Sequence, residues 1–433
     1  MNVSPPRPAN PIKPALLFLS PVMPATGGSG IAMRAGATIE ALAAGYDIHL
    51  LVIPVTGAPT PVPEFLRRLC SRVLLHPAGQ HADPVFRQID SIADPAARLA
   101  ARLAYPGPAL ARYTTAASVH AAAELAAGPD YRAVHVLGLY LAPFAAPYLG
   151  APHRPPHCRL DTNDDEVVSR RRTAQVLRHG GDEPAAEIEE AEARHYETMA
   201  ATWLPHFHQV YAACETERAR LSAACPQAAV AVLPDVIRPP GPVGWPASEA
   251  PFTFVFVGNL GHYPNADGAS YLCSEILPLL RSSSPGPFQI RFVGANPPPA
   301  LRAQQDTGDV VVVGPVRRIT PTYESAHAAV VPVRAGGGTL VKILEAFAHQ
   351  RPVVSTSVGA EGLAVTPGLQ LLVGDSPADF AAACTRLMKE PGLGPELAGH
   401  GAAFARRHEP GQLREILGAG GPVSGGASPV PAG

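Results

Sequence analysis

The chain contains 433 residues with a formal net charge of −2, and 46% of its residues are hydrophobic while 16% are charged. This length is sufficient for about two to three domains with apolar cores. The small net charge argues against nucleic acid as a partner, because binding its phosphates requires an extended excess of lysine and arginine. The first apolar run, at 15–19, is much shorter than the ~20 residues of a transmembrane helix, so no transmembrane segment is expected.

The cysteines and the N-terminus indicate the cellular compartment. None of the six cysteines forms a CxxC pair or a zinc-ligand spacing, which predicts free thiols in a reducing environment and no metal site. Residues 1–13 are rich in proline and lack the apolar centre of a signal peptide, so they are predicted to be a disordered leader. We therefore expect a cytoplasmic protein, and peripheral contact with a membrane is left open.

A glycine-rich turn follows the first predicted strand, 15–20, and leads into a helix predicted over 31–44. The turn consists of Gly27, Gly28, Ser29 and Gly30. Turns of this kind bind pyrophosphate in dinucleotide-binding folds. Here Met33 occupies the position of the third glycine, and no acid follows the second strand at 49–55. The spacing therefore argues against NAD binding.

The next segments, up to residue 166, combine helices with two buried strands. Helices are predicted at 94–104 and 115–127, and a strand at 133–137 contains His135. The strand at 158–160 is followed by the acidic segment Asp161-Thr162-Asn163-Asp164-Asp165-Glu166, and three arginines come next, at 170–172. We favour the interpretation that these acids cap the following helix and pair with its arginines. The alternative is that they position an acceptor hydroxyl.

A segment rich in proline and glycine, 237–251, has the composition of a linker. It divides the chain into an N-terminal part, 14–236, and a C-terminal part, 252–417. Strands alternate with helices in both parts, which predicts an α/β fold with two parallel-sheet domains. The last helix, predicted near 395–407, is expected to return toward the first domain. The tail at 418–433 is predicted to be disordered by its composition.

The most informative local pattern is a strand, a glycine turn and a helix between 330 and 356. Gly336, Gly337 and Gly338 come directly before apolar residues at helical spacing. A helix that starts after glycines presents unpaired N–H groups and the positive end of its dipole to an anion, and the natural occupant is a phosphate.

Polar side chains around this turn fit the same ligand. Arg334 and Lys342 place two cations beside it, and Thr339 can cap the helix or donate its hydroxyl to the phosphate. Glu345 shares a helix face with Lys342, so it can accept hydrogen bonds from ribose hydroxyls. The alternative is an ordinary strand-to-helix turn with a surface Lys/Glu pair.

Two segments carry a resemblance to a known family. The segment GGGTLVKILEAFAHQRPVVSTSVGAEGL resembles the donor-site signature of the family-4 glycosyltransferases, and VFVGNLGHYPNADGASYLCSEILPLL resembles the start of their second domain. The resemblance is dense over 254–388 and thinner before it. It implies the GT-B fold, in which two Rossmann-like domains face one another across a cleft.

The resemblance also implies roles for individual residues. Glu345 would hold the donor ribose, and the helix start would receive the diphosphate. The other donor-binding positions would be Gly258, Val316, Gly336, Gly337, Gly338, Thr339 and Leu340. The turn from Gly27 to Gly30 would face the cleft, with Arg34 assisting, unless it merely starts a helix. His135 would lie near the donor sugar, although a buried structural histidine is an equal alternative.

The sequence departs from the family pattern at one donor position. Gly337 stands where relatives often carry an acid, so a clamp made of two carboxylates is missing. We expect a glycosyltransferase that moves a sugar from a nucleotide-sugar donor to an unknown acceptor hydroxyl, with retention by resemblance. Arg334, Lys342 and His135 are its candidate catalytic residues, and neither a metal nor another cofactor is expected. A non-catalytic sugar-nucleotide-binding module and a GT-B nucleotide-sugar epimerase are the alternatives.

Overall fold

The structure, a computed structural model, describes residues 13–55, 61–150, 156–241, 243–246 and 251–419. Apart from Lys13, the predicted leader lies outside the described residues, and so does the predicted tail beyond Ala419. Two parallel sheets dominate the described chain. Among these residues, no helix combines the length and the apolarity needed to span a bilayer.

The N-terminal sheet has seven parallel strands in the order β3-β2-β1-β4-β5-β6-β7. They are β1 (Ala15–Ser20), β2 (Asp47–Val52), β3 (Cys70–Leu75), β4 (Ala133–Leu137), β5 (His157–Asp161), β6 (Gln209–Ala212) and β7 (Val230–Val232). The helices of this part are α1 (Gly30–Leu42), α2 (Glu64–Leu69), α3 (Pro84–Ser91), α4 (Pro95–Leu103), α5 (Ala116–Ala126), α6 (Ala146–Leu149), α7 (Glu166–His179), α8 (Glu183–Trp203) and α9 (Glu215–Ala224). The longest of these helices is α8, with 21 residues.

The C-terminal sheet has six parallel strands in the order β10-β9-β8-β11-β12-β13. They are β8 (Phe252–Val257), β9 (Phe288–Val293), β10 (Val310–Gly314), β11 (Ala328–Val331), β12 (Val353–Ser355) and β13 (Leu372–Val373). The helices are α10 (Tyr263–Tyr271), α11 (Leu277–Ser283), α12 (Pro299–Ala303), α13 (Thr320–Glu324), α14 (Val341–Ala348), α15 (Ser357–Ala360), α16 (Pro377–Lys389), α17 (Leu393–Ala405) and α18 (Gly411–Ala419).

Burial of both faces of each sheet explains the near-continuous apolar strands that the sequence shows. In β1, for example, Leu16, Leu17 and Phe18 are fully buried although they point to alternate faces. The predicted pair of parallel-sheet domains is therefore confirmed. In such sheets a ligand crevice forms at the carboxyl ends of the strands where the strand order reverses, which is between β1 and β4 and between β8 and β11.

The chain crosses between the two sheets twice, and the prediction for the second crossing is wrong. Helix α17 packs against α14 in the C-terminal part, with Phe404 and Phe347 in edge contact. It is α18 that returns to the N-terminal sheet, where Leu413 and Leu417 are buried in the same cluster as Leu16. The two crossing segments touch, because the Ile237 N–H donates to the His408 carbonyl at 2.7 Å.

A buried ion cluster joins α1 to the ends of two other segments. The Arg34 guanidinium donates two hydrogen bonds of 2.8 Å to Asp161, one of 3.0 Å to Asp235 and one of 2.8 Å to the Leu233 carbonyl. Burial alone would lower the pKa of Arg34, but the two carboxylates raise it overall, so the group stays charged. Because the side chain is buried and four of its five N–H groups already donate to these partners, the structure does not favour the predicted assistance of Arg34 at a phosphate.

This cluster predicts a large effect of Arg34→Met on stability. The variant leaves two carboxylates buried without their cation, which costs about 3–5 kcal/mol. Urea unfolding followed by circular dichroism should show this loss. Arg171→Met, which removes a half-exposed arginine paired with Glu197, should leave the unfolding midpoint nearly unchanged. Equal shifts in the two variants would contradict the stabilising role of the cluster.

Candidate functional site

The glycine turn between β11 and α14 opens into a helix start without a side-chain cap. Gly336 adopts a φ of 138°, which other residues rarely tolerate. Leu340 is the N-cap of α14 and offers no side-chain hydrogen bond, while the Thr339 hydroxyl donates to the Gly362 carbonyl at 3.3 Å. Of the two roles predicted for Thr339, capping of the helix is not observed. The first N–H groups of α14 remain available to an anion.

The glycine turn of the N-terminal domain faces this helix start. It follows β1 and precedes α1, and Gly28 has a φ of 106°. A Cβ atom at Gly30 would lie 3.5 Å from Val341 Cγ2, so the first residue of α14 is in contact with the turn. Ser29 is the N-cap of α1 and also makes no side-chain capping bond. The structure thus brings together the two glycine turns that the sequence analysis selected, one from each domain.

Lys342 lies on the first turn of α14 and points toward the end of β8. Its ammonium donates to Asn265 Oδ1 at 2.5 Å and lies 4.8 Å from the centre of the Phe256 ring. A Cβ atom at Gly258, directly after β8, would lie 3.0 Å from Lys342 Nζ. Burial lowers the pKa of Lys342 to about 7, and the nearby Glu345 opposes this shift only in part.

Glu345 lies one turn further along α14 and is also partly buried. The Tyr323 hydroxyl donates to its Oε2 at 3.2 Å. Burial raises the pKa of Glu345 to about 7, although the Tyr323 hydrogen bond and Lys342 both act in the opposite direction. A cavity of about 210 Å³ between the domains is lined by Glu345 together with Thr26, Gly27, Met33, Ile237 and Thr320. Glu345 therefore lines the space between the two domains.

Two of the candidate catalytic side chains are engaged elsewhere. Arg334 forms a bidentate pair with Asp267 of α10, at 2.6 and 3.0 Å, and stacks over the Tyr271 ring at 4.3 Å. Its cation is therefore largely neutralised by a carboxylate that the sequence analysis did not consider. It lies against α10 and does not stand free beside the glycine turn.

His135 lies in the core of the N-terminal domain. Its side chain is fully buried and stacks on Phe18 at 4.9 Å and on Tyr211 at 6.3 Å. Burial, together with the nearby Arg159 and Arg34, lowers its pKa to about 3, so the ring is neutral. Of the two interpretations left open, the geometry is that of the buried structural histidine. A role at the donor sugar is not compatible with this position.

The acidic segment after β5 packs directly on the glycine turn of the other domain. The Asp165 carboxylate caps α7 by accepting from the Val168 N–H at 3.1 Å, as the favoured interpretation predicted. A Cβ atom at Gly337 would lie 2.2 Å from the Asp165 carbonyl oxygen and 3.1 Å from Asp164 Oδ1. One at Gly338 would lie 2.8 Å from Asp164 Oδ1. The carboxyl group of Asp164 thus lies beside Gly337, a position that itself carries no acidic side chain.

Val316 belongs to the loop between β10 and α13 and is 39% exposed. Ile319, the last residue of this loop, and Thr320, the first residue of α13, line the interdomain cavity. The sequence analysis missed three residues that orient the predicted side chains, namely Asn265, Asp267 and Tyr323. Asn265 is 77 positions from Lys342, and no local pattern connects residues so far apart. The one signal in the sequence was Tyr323 itself, because a tyrosine hydroxyl that becomes buried requires a hydrogen-bond partner.

Comparisons with known proteins agree with this architecture. Residues 251–390 match the family described as glycosyl transferases group 1, which confirms the resemblance seen in the C-terminal half. No curated protein matches the chain. The narrower assignment to family 4 stays a prediction.

Three solved structures are similar over nearly the whole chain, and each alignment covers 94% of it. Sucrose-phosphate synthase from Thermosynechococcus elongatus has a TM-score of 0.65 at 16% identity, with 98% of that chain covered. TarM of S. aureus in complex with UDP has 0.63 at 9% identity and 99% coverage. Anabaena HepE in complex with UDP and glucose has 0.58 at 12% and 98%. At these identities the likeness shows the fold, and the predicted GT-B fold is confirmed.

The contact between the acidic segment and the glycine turn predicts the effect of Gly337→Ala. The added methyl group would overlap the Asp165 carbonyl, so the two domains should move apart. Small-angle X-ray scattering should then give a larger radius of gyration than for the unaltered protein, with unchanged helix content by circular dichroism. Gly399→Ala, in an open position on α17, is the matched control. An unchanged radius in both variants would argue against the steric role of Gly337.

Proposed function

We propose that the protein is a glycosyltransferase that transfers a sugar from a nucleotide-sugar donor to an acceptor hydroxyl. The observation that carries the proposal is the arrangement along α14 at the domain interface. An uncapped helix start, the ammonium of Lys342 and the carboxylate of Glu345 follow one another over two turns. The group 1 match covers this segment, and HepE and TarM, which share the fold, were solved with UDP.

Each part of this arrangement fits one part of a nucleotide sugar. The N–H groups at the start of α14 suit the diphosphate, and Lys342 adds a positive charge beside it. The carboxylate of Glu345, which lines the cavity, suits the ribose hydroxyls. The loop that ends at Ile319, which lines the same cavity, would then lie beside the base. The donor sugar would extend from the helix start toward the glycine turn of the N-terminal domain.

The chemistry would depend mainly on the leaving group. As the bond between the sugar and the diphosphate breaks, negative charge grows on the phosphate oxygens, and fixed N–H groups together with Lys342 stabilise it. Because Arg334 is paired with Asp267, Lys342 carries more of this role than the sequence analysis assigned to it. Retention, a mechanism without metal, cytoplasmic location and an unidentified acceptor remain part of the proposal on the sequence evidence alone.

The proposed activity is tested with a panel of UDP-, GDP- and ADP-sugars, with sugar transfer or donor hydrolysis followed by mass spectrometry. Lys342→Met should lower the rate about a hundredfold, because it removes a charge that stabilises the leaving group. Lys389→Met, at the exposed end of α16, should have no effect. Binding of a nucleoside diphosphate without any turnover would favour a non-catalytic binding module, and isomerisation of the sugar without an acceptor would favour an epimerase.

The two pKa values near 7 predict a narrow pH range for nucleotide binding. Lys342 must be protonated to attract phosphate, so affinity should fall about tenfold per pH unit as the pH rises above its pKa of about 7. Glu345 must be ionised to accept from the ribose, so affinity should also fall as the pH drops below about 7.

Isothermal titration with UDP, GDP and ADP from about pH 5.5 to about pH 9, roughly two units on either side of the neutral point, measures the fall in affinity at both ends of the range. Lys342→Arg should abolish the alkaline limb, because a guanidinium stays charged throughout. Glu345→Gln should flatten the acidic limb. The ionisation of the ligand is common to all variants and cancels in the comparison. Identical profiles in the three proteins would contradict the assignment of both residues.

A further inference from the structure

Two arginines of the N-terminal domain hold the main chain of the glycine turn in the C-terminal domain. Arg172 of α7 donates from Nη1 to the Gly336 carbonyl at 2.9 Å. Arg220 of α9 donates from Nη2 toward the Gly337 carbonyl at 3.5 Å. Both guanidinium groups also pair with the Glu361 carboxylate at the end of α15, which lies beside the turn. The turn is thus contacted by cations from the opposite side of the domain interface.

The two arginines are themselves fixed in position. Arg220 donates from Nε to Asp165 Oδ2 at 2.8 Å, and the other oxygen of the same carboxylate caps α7. Arg172 lies on α7 two turns after that cap. Glu361 accepts from both arginines, and although burial would raise its pKa, these hydrogen bonds lower the pKa overall, so it is ionised. A continuous set of charged hydrogen bonds therefore connects the start of α7 with the glycine turn.

Peptide geometry gives these contacts a directional consequence. In a planar trans peptide the C=O and the N–H of the same unit point in opposite directions. When Arg172 holds the Gly336 carbonyl, the N–H of Gly337 must point away from Arg172. Likewise, when Arg220 holds the Gly337 carbonyl, the Gly338 N–H must point away from Arg220. Within the described part of the chain, neither of these two N–H groups donates to a backbone carbonyl.

Glycine makes this orientation dependent on outside contacts. A glycine peptide unit rotates easily, because no Cβ atom restricts φ and ψ. Three consecutive glycines therefore do not fix the direction of their own N–H groups. Bonds from Arg172 and Arg220 to the carbonyls restrict this rotation and reduce the entropy lost when an anion binds.

We propose that Arg172 and Arg220 are positioning residues that orient the N–H groups of Gly337 and Gly338 toward the diphosphate of the donor. This inference rests on the proposed function. Since the arginines belong to one domain and the turn to the other, the diphosphate site is complete only when the two domains are in contact. Neither arginine acts on the reacting atoms, and both act through the main chain of the turn.

A merely structural role of the arginines, in which they hold the domains together, gives a different result. Separation of the domains would weaken binding of the nucleoside part and of the diphosphate part alike. Loss of orientation in the turn would weaken binding of the diphosphate alone. The ratio between the affinities for a nucleoside diphosphate and for the free nucleoside therefore separates the two roles.

The experiment measures this ratio in Arg172→Gln and Arg220→Gln. UDP, GDP and ADP are titrated calorimetrically, and the corresponding nucleosides are titrated by NMR. Each variant should bind the preferred diphosphate about tenfold more weakly, as expected for a lost hydrogen bond from a charged donor, and should bind the nucleoside as the unaltered protein does. Arg172→Lys keeps a donor of shorter reach and should recover part of the loss.

Matched controls come from the same helices. Arg171→Gln removes a cation one position before Arg172 whose partner is Glu197, and Arg218→Gln removes one near Arg220 whose partner is Glu215. Both should bind diphosphate normally, which excludes a general effect of net charge. Thermal melting checks that all variants are folded, and if a glutamine variant is not, the lysine variant at 172 carries the test.

The outcomes separate this inference from the proposed function. If the unaltered protein binds none of the three diphosphates, the proposed function fails and the inference fails with it. If the unaltered protein binds and the arginine variants bind equally well, only the inference is overturned. Equal losses for diphosphate and nucleoside would also overturn it, in favour of a role in holding the domains together.

Discussion

The geometry of the site depends on one close contact between main-chain atoms of two domains. The segment after β5 lies so near the turn before α14 that a Cβ atom at Gly337 would be 2.2 Å from the Asp165 carbonyl oxygen. Real Cβ atoms do not approach an oxygen so closely, so the contact requires glycine at this position. The glycines therefore have two uses: they let one domain approach the other, and they leave N–H groups that no side chain covers.

Burial decides the charge state of this site as much as its residue types do. Lys342 and Glu345 both titrate near pH 7, because each has lost water and neither fully compensates the other. Arg334, which keeps its charge at any pH, is paired with Asp267. The side-chain cation on the first turn of α14 is thus one whose charge is readily lost. An incoming diphosphate would restore the protonated state of Lys342 by its own field.

Local patterns in the sequence predicted the fold and the elements of the site. They did not predict contacts between residues that are far apart in the sequence. The runs of apolar residues in β1 and β8 and the glycine turns that follow are visible within ten or twenty positions, so the two sheets could be predicted. The partner of Arg34 is 127 positions away in Asp161, and the contact between Gly337 and Asp165 spans the two domains. His135 was ambiguous for a related reason, because a histidine in an apolar strand is equally compatible with a cleft and with a core. The sequence analysis did not predict helix α18, whose first residue, Gly411, and second-to-last residue, Gly418, are poor helix formers.

The two segments that pass between the domains are joined by the hydrogen bond from Ile237 to His408. A single connecting segment would allow one domain to rotate freely relative to the other. Two connecting segments that are hydrogen-bonded to one another resist twisting more than a single segment does. Two connections therefore limit the relative rotation of the sheets more than one would, which favours the contacts of Arg172 and Arg220 with the same carbonyl groups of the glycine turn.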